Sequence, residues 1–398
     1  MTTEPLAPGS AELIALIRQT AAPLDREQVP LAHALGRVLR APVRAAEDQP
    51  PFDRSAVDGF AVRVGDDSAV FRLVDEIRAG DWKPRQLQTG ETVRIATGGA
   101  LPSAGLQVLM KEHIEATATT VRVLRPSTER HVRIRGEDAA SGQLLLDAPL
   151  RLNAGALALL ASLGCAQPEV TRQPRVVHLA TGNEIVPPET TPDPGQIRDS
   201  NSTLVRAFLQ SLGITPRQHR VAEDHAALET ALRTSADTAD LLLISGGASV
   251  GPHDFTRVLL EQNGFDILVS KTSLRPGKPL IFARRGTTLA FGLPGNPLAH
   301  FVCLHLFVRA ALEQFAGLPP APLWRRGVLA ADFSADIGPR ETFWPAFCRN
   351  DDGGPALLPL AWNNSGDLTS LATANALLRF AGHAPARARG DGIEFCPV

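Results

Sequence analysis

Leu241-Leu242-Leu243-Ile244-Ser245-Gly246-Gly247-Ala248-Ser249-Val250-Gly251-Pro252-His253-Asp254-Phe255 is the stretch that decides the fold. Its first four residues are apolar without alternation, the pattern of a central strand covered on both faces. A glycine-rich loop follows and a helix starts close to Asp254, so backbone N–H groups and a helix N-terminus converge where an anion can be held. The loop lacks the Gly-Lys-Ser/Thr ending of a P-loop and is not a Gly-x-Gly-x-x-Gly turn, so neither a standard NTPase nor a dinucleotide fold is supported. Such a turn also serves as plain architecture, and aspartate is a common helix N-cap.

Outward from this stretch, strands at 176–180, 217–221 and 241–245 alternate with helices at 202–212, 226–234 and 255–262. That alternation predicts a parallel sheet with crossover helices, which collects ligands beyond the carboxyl ends of its strands. Leu179-Ala180-Thr181-Gly182-Asn183-Glu184 ends one strand with a hydroxyl and a carboxylate. Asp199-Ser200-Asn201-Ser202 opens a helix and reads equally well as an N-cap cluster. Glu223-Asp224 follows another strand, where two acids also fit a solvated loop. Magnesium takes one or two carboxylates plus substrate phosphate oxygens, which makes Asp224 and Asp254 a candidate metal pair. Arg275-Pro276-Gly277-Lys278-Pro279 fixes two cations on a stiff turn suited to oxyanions, although many basic turns are simply solvated. Pro294-Gly295-Asn296-Pro297 follows a strand at 289–293 and opens an apolar helix, with its N–H groups facing the same rim.

At 398 residues the chain calls for several domains. With 44% hydrophobic and 21% charged residues it has an ordinary globular composition, and no uninterrupted apolar run approaches the ~18 residues of a membrane span. The first ten residues carry Glu4 and two prolines where a secretory signal needs positive charge and then an apolar run, so a cytoplasmic location is expected. A net charge of -2 and a pI near 6.6 give no general attraction for nucleic acid. Neither nucleic acid nor membrane is expected as a partner. Cys165, Cys303, Cys348 and Cys396 are isolated from one another and read as buried thiols.

The segment from Ser10, as N-cap, is helical, and a short helical turn is expected at 31–36. After Gln49-Pro50-Pro51 come β-type runs at 60–64, 70–74, 92–95 and 108–111, then a helix at 154–163 closed by Gly164. A proline-rich break at 318–322 precedes short strands. The expected division is a helical and linking domain at 1–51 and 138–174, an inserted β module at 52–137, an α/β domain at 175–318, and a small β domain at 322–398.

Taken together the loops resemble the molybdopterin molybdenumtransferase family, bacterial MoeA and the C-terminal domain of gephyrin. The likeness runs from about Pro50 to Asn375. It is carried by Pro51-Phe52-Asp53-Arg54-Ser55-Ala56-Val57-Asp58-Gly59-Phe60-Ala61, Thr97-Gly98-Gly99-Ala100-Leu101-Pro102, Arg135-Gly136-Glu137-Asp138, Thr181-Gly182-Asn183-Glu184, Ser245-Gly246-Gly247, Pro276-Gly277-Lys278-Pro279 and Pro294-Gly295-Asn296-Pro297, with Asn364-Ser365-Gly366-Asp367-Leu368 as a closing motif. Asn183 stands where the family commonly has an acid, and Phe60 where it often has tyrosine.

The resemblance implies a multidomain α/β protein whose central parallel-sheet domain is of the molybdopterin-binding type. It implies insertion of molybdate, as substrate, into adenylated molybdopterin with release of AMP, and Mg2+ as cofactor. It also implies a homodimer and a contact with molybdopterin adenylyltransferase. Carried over residue by residue, catalytic roles fall to Glu184, Asp58, Thr97, Asp138 and Lys278, and metal binding to Asp224 and Asp254. Substrate binding falls to Ser245, Gly246, Gly247, Ser249, Arg275, Pro294, Gly295, Asn296, Pro297, Arg340 and Ser365. By themselves Asp58 and Thr97 read as turn residues. Two rivals stand beside this reading: a molybdopterin adenylyltransferase, which has a similar α/β domain but needs no flanking modules, and a scaffold that keeps the fold as an interaction platform.

Overall fold

The computed structural model describes residues 7–222, 224–246, 255–351, 353–364 and 366–398. Gly247, Ser249, Asp254 and Ser365, expected at the site, and Glu223 lie outside the described residues. The chain forms two compact units, one of residues 41–148 and 158–166 and one of the remainder.

In the larger unit, the strands Val176–Thr181, Arg217–Val221, Leu241–Ser245 and Thr288–Leu293 are parallel neighbours in one six-stranded sheet. The sheet is mixed: Ile281–Arg285 runs antiparallel to Thr288–Leu293, and Asp266–Val269 antiparallel to Ile281–Arg285. Of these, Asp266–Val269 is an edge strand, and a short hairpin suffices to join Ile281–Arg285 to Thr288–Leu293, whereas parallel neighbours need a crossover connection. Leu241 to Ile244 are buried throughout, as expected of a strand covered on both faces.

The helix that starts at Pro297 continues to Ala316 through a π-helical turn, Leu304–Val308. Its 20 residues are apolar enough to cross a membrane by length and composition, but 83% of its most apolar window is buried, so it is a core helix packed in the sheet's apolar cluster. The first helix, Ser10–Thr20, packs its Leu13, Ile14 and Ile17 into the same cluster. Its N-cap is Gly9 and not Ser10: the Ser10 hydroxyl donates to Glu341 Oε1 at 2.8 Å instead.

Beyond residue 322, the strands Arg325–Leu329, Glu341–Asp351, Gly354–Pro359, Ala376–Phe380 and Gly392–Pro397 close on themselves, with Glu341–Asp351 paired to both Gly354–Pro359 and Ala376–Phe380. A short strand from the α/β region, Leu274–Arg275, adds in parallel against Glu341 and Thr342. Cys303 and Cys396 are buried, but Cys165 and Cys348 are only partly so, which corrects the expectation of four buried thiols.

The smaller unit is built on a six-stranded sheet in the order Leu106–Met110, Gly59–Arg63, Glu91–Ile95, Val70–Ile77, Thr120–Val123, Ile114–Ala116. Its pairs are antiparallel except for Val70–Ile77 beside Glu91–Ile95.

Candidate functional site

Register places the loops of the α/β domain. Thr181 lies opposite Val221, Ala180 opposite Ser245, and Ser245 opposite Leu293, so the four parallel strands end level with one another. The segments that follow them, with Glu184, Asp224, Gly246 and Pro294, therefore leave from one carboxyl rim. Gly246 has φ +91°, and a Cβ there would come 2.1 Å from the carbonyl oxygen of Thr181, so the loop turns against the neighbouring strand in a way open only to glycine. Glu184 is exposed and its carboxylate lies back over the loop: an added Cβ at Gly182 would sit 2.6 Å from Glu184 Oε2.

Asp224 caps the helix His225–Ala236, accepting from the Ala227 N–H at 2.9 Å. Asn296 is the N-cap of Pro297–Cys303, with Pro297 in its first turn. Asn201 opens the helix Asn201–Ser211, and its Nδ2 donates to Gly295 O at 2.7 Å, tying the two loops. Two oxygens of this region, Thr181 Oγ1 and Asn201 Oδ1, are buried without a hydrogen-bond partner. Unpaired buried acceptors are rare in folded proteins and mark places where a ligand or ordered water belongs.

The cations are arranged differently from expectation. Lys278 is exposed, on a loop whose Gly277 would bring a Cβ within 3.5 Å of Cys303 in the helix opened by Pro297. Arg275 is no loose turn cation: it sits in the short strand beside the C-terminal barrel, stacks on Trp362 at 5.2 Å and donates to Asp336 O at 3.2 Å. Arg340 joins it from 66 residues away in sequence, donating to Leu274 O at 2.9 Å.

Ser245, expected among the substrate-binding residues, is buried with its hydroxyl between two histidines, 2.6 Å from His178 Nε2 and 3.5 Å from His300 Nε2. Strand alternation explains this, because Ser245 shares a sheet face with Leu241 and Leu243, which pack into the buried cluster on that side.

In the smaller unit two motifs that read separately as turns are zipped together. Ser55 N donates to Gly99 O, Gly98 N to Ser55 O, and Leu101 N to Asp53 O, each at 2.9 Å. This brings Thr97 onto Asp58, whose Oδ1 accepts from the Thr97 N–H at 2.9 Å and from its hydroxyl at 2.8 Å. Lys111 Nζ donates to Asp58 Oδ2 at 3.1 Å. The Thr97 N–H foremost, then its hydroxyl and the Lys111 ammonium, hold the Asp58 carboxyl down at about 2. Asp138 is held elsewhere, by an ion pair to Arg133 and by its N–H on Gln49 O. Among the described residues nothing joins it to Asp58. The sequence reading missed Lys111, which looks like an ordinary strand end, and it missed His178 and His300, although a histidine inside Val-Val-His-Leu-Ala is a signal that could have found the first.

Models of three regions match the chain: the MoeA N-terminal region (domain I and II) at residues 10–164, the "probable molybdopterin binding domain" at 178–314, and the MoeA C-terminal region (domain IV) at 326–398. Molybdopterin molybdenumtransferase from Bacillus subtilis is 33% identical over 89% of this chain and 85% of its own length. The chain belongs to the molybdopterin molybdenumtransferase family. A family member from a Nostoc species is 35% identical over 89% of this chain and 84% of its own. Two solved structures of the molybdopterin biosynthesis MoeA protein from Pyrococcus horikoshii have TM-scores of 0.81 and 0.79 at 26% and 25% identity, covering 98% and 99% of this chain and 99% and 100% of theirs. Because the likeness extends over all three regions, it includes the flanking modules that distinguish the family from proteins with the molybdopterin-binding domain alone.

Proposed function

We propose that the chain inserts molybdate into the dithiolene of adenylated molybdopterin and releases AMP, as a transferase of molybdenum cofactor biosynthesis. The observation that carries this reading is the carboxyl rim of the α/β sheet. There a glycine turn, an exposed carboxylate and the N-terminus of the helix at Pro297 leave from the same rim as two buried oxygens, Thr181 Oγ1 and Asn201 Oδ1, without a partner among the described residues. Backbone amides already aimed at one place stabilise negative charge on transferring phosphate without reorganising. Glu184 serves the metal-transfer step, exchanging protons as the two pterin thiols give up theirs to molybdate oxygens. Lys278 with Arg275 holds the oxyanion, and Arg340, which donates to Leu274 O, binds substrate beside the strand Leu274–Arg275. Asp58, oriented by Thr97 and charge-paired with Lys111, is a pre-set carboxylate available to substrate.

Magnesium belongs to the same proposal. Among the described residues no three or more His, Cys, Asp or Glu side chains gather as a metal site. Magnesium keeps its waters and takes one or two carboxylates with substrate phosphate oxygens, so it needs no such cluster. Asp224, at the rim, would be one, and Asp254 the other; bound there, the ion would neutralise phosphate charge. A homodimer, a contact with molybdopterin adenylyltransferase and a cytoplasmic location complete the proposal. Light scattering checks the dimer, and a fully active monomer at low concentration would overturn it.

The decisive test mixes the protein with adenylated molybdopterin, molybdate and magnesium and follows AMP. Molybdate-dependent AMP release is expected. Tight binding of the pterin with no AMP released would favour the scaffold reading.

A further inference from the structure

Beneath the rim lies a line of polar groups that the proposed reaction does not use. Arg206 Nε donates to Gln218 Oε1 at 2.7 Å, and Gln218 Nε2 reaches Ser202 O at 2.8 Å and His178 Nδ1 at 3.0 Å. His178 Nε2 then meets Ser245 Oγ, Ser245 Oγ meets His300 Nε2, and His300 Nδ1 meets Pro294 O at 3.0 Å. His178 and His300 are fully buried.

Both ends fix the direction of every bond. Pro294 O can only accept, so His300 carries its proton on Nδ1 and accepts at Nε2. Ser245 must then donate to His300, which leaves its lone pair for the Nε2–H of His178. At the other end the Arg206 N–H requires the Gln218 oxygen, so the Gln218 amide donates to His178 Nδ1. The two requirements agree at Ser245. Burial, reinforced for His178 by the neighbouring His300, lowers the two histidines to about 3 and about 4, so both rings are neutral and the assignment holds through the working pH range.

Apolar side chains of similar volume would carry no desolvation cost here. A fully satisfied buried polar chain instead specifies one arrangement of the elements it crosses. Here it crosses the strands Arg217–Val221, Val176–Thr181 and Leu241–Ser245 and ends on the carbonyl that starts the turn at 294–297.

We propose that His178, Ser245 and His300 are positioning residues which, through this one-way chain, lock the Pro294 carbonyl and thereby set the turn at 294–297 relative to Gly246 and the end of the strand Leu241–Ser245. The inference rests on the function proposed above for its kinetic consequence and on the geometry alone for the locking itself.

The test compares His300→Leu, which loses the bond to Pro294, with His300→Asn, whose amide nitrogen can take the place of Nδ1. Thermal unfolding, steady-state AMP release and amide hydrogen exchange of the segment around 294–297 are measured on each. His300→Leu is expected to raise KM for adenylated molybdopterin about tenfold, the factor that matches one lost hydrogen bond, with kcat changed less than about threefold. Exchange in the segment should quicken, and His300→Asn should restore both KM and slow exchange to near the parent values. Unchanged KM and exchange in folded His300→Leu would overturn the proposal, as would equal losses in both variants that follow their thermal stability. If His300→Leu does not fold, Ser245→Ala cuts the chain one link earlier, and unaltered exchange at 294–297 in that variant overturns the locking. Failure of the parent protein to release AMP would sink the functional reading instead, and hydrogen exchange would then decide the locking by itself.

Discussion

In the β module Asp58 keeps its carboxylate in contact with water, 49% exposed and paired with Lys111, whereas in the α/β domain His178, Ser245 and His300 are at most 4% exposed and carry no charge. Both sets are completely hydrogen-bonded. The first is held by a backbone N–H, a hydroxyl and an ammonium that lower its pKa, so it stays ionised for a partner yet to arrive. The second spends every donor and acceptor inside the protein. Charge is kept where solvent and substrate can reach it, and geometry is kept where they cannot, because an unpaired charge in the interior would cost several kcal/mol.

This contrast breaks most readily through activity. Glu184→Gln should leave binding of adenylated molybdopterin within a few-fold by fluorescence, while molybdenum insertion falls about a hundredfold or more, the size typical of losing a general acid or base. Unchanged insertion would make Glu184 a structural cap on its loop. Asp58→Ala should lower AMP release by about tenfold to a hundredfold yet leave the melting temperature nearly unaltered, because exposed ion pairs contribute little to stability. A large loss of stability would place Asp58 with the structural groups and erase the distinction.

Ser245→Ala should behave in the opposite sense. It leaves the His178 donor and the His300 acceptor unpaired in the core, and denaturant unfolding should show a loss of about 2 to 4 kcal/mol. Acid should act on His178 and His300, and also on His305 in the π-helical turn Leu304–Val308. His178, His300 and His305 are lowered by burial to about 3, 4 and 3, below the ordinary 6.5 that they regain on unfolding. The unfolded chain therefore binds protons first: their stabilisation is complete above pH 6.5 and declines as pH falls toward 4. Each histidine contributes a slope of about 1.4 kcal/mol per pH unit over that range. His178→Gln, compared with the parent protein by urea unfolding at pH 7 and pH 5, should show the shallower dependence; identical slopes would mean the ring is solvated. The smallest effect is expected for Lys111→Met, a few-fold loss of AMP release that shrinks further in high salt, since an exposed pair is screened. Asp58 in that variant keeps the two Thr97 donors and should remain ionised at neutral pH; in the parent, where it is held at about 2, its pair with Lys111 should fail only as pH falls from about 4 through 2.

Much of the fold was legible because apolar periodicity and glycine placement are local signals. The unbroken apolar tetrad at 241–244 predicts a strand covered on both faces, and the alternation with helices predicts parallel neighbours, so the shared rim follows before any coordinate is known. The antiparallel pair Ile281–Arg285 and Asp266–Val269 was not legible, since the apolar pattern of a buried strand does not record whether it runs parallel or antiparallel to its neighbour. Ser10 was misread for a related reason: a serine before an apolar run caps a helix in most settings, and here a carboxylate 331 residues away claims it.

By itself the sequence determined which segments become strands and helices, which loops leave the carboxyl rim, and which family the motifs belong to. All of these depend on residues a few positions apart. Only the tertiary structure decided that Thr97 and Lys111 converge on Asp58, that Arg340 sits beside the Arg275 strand, and that Ser245 turns its hydroxyl inward to two histidines 67 and 55 residues away. Hydrogen bonds act over about 3 Å and carry no record of sequence separation, so a side chain's partner is set by packing and not by the pattern of its neighbours along the chain.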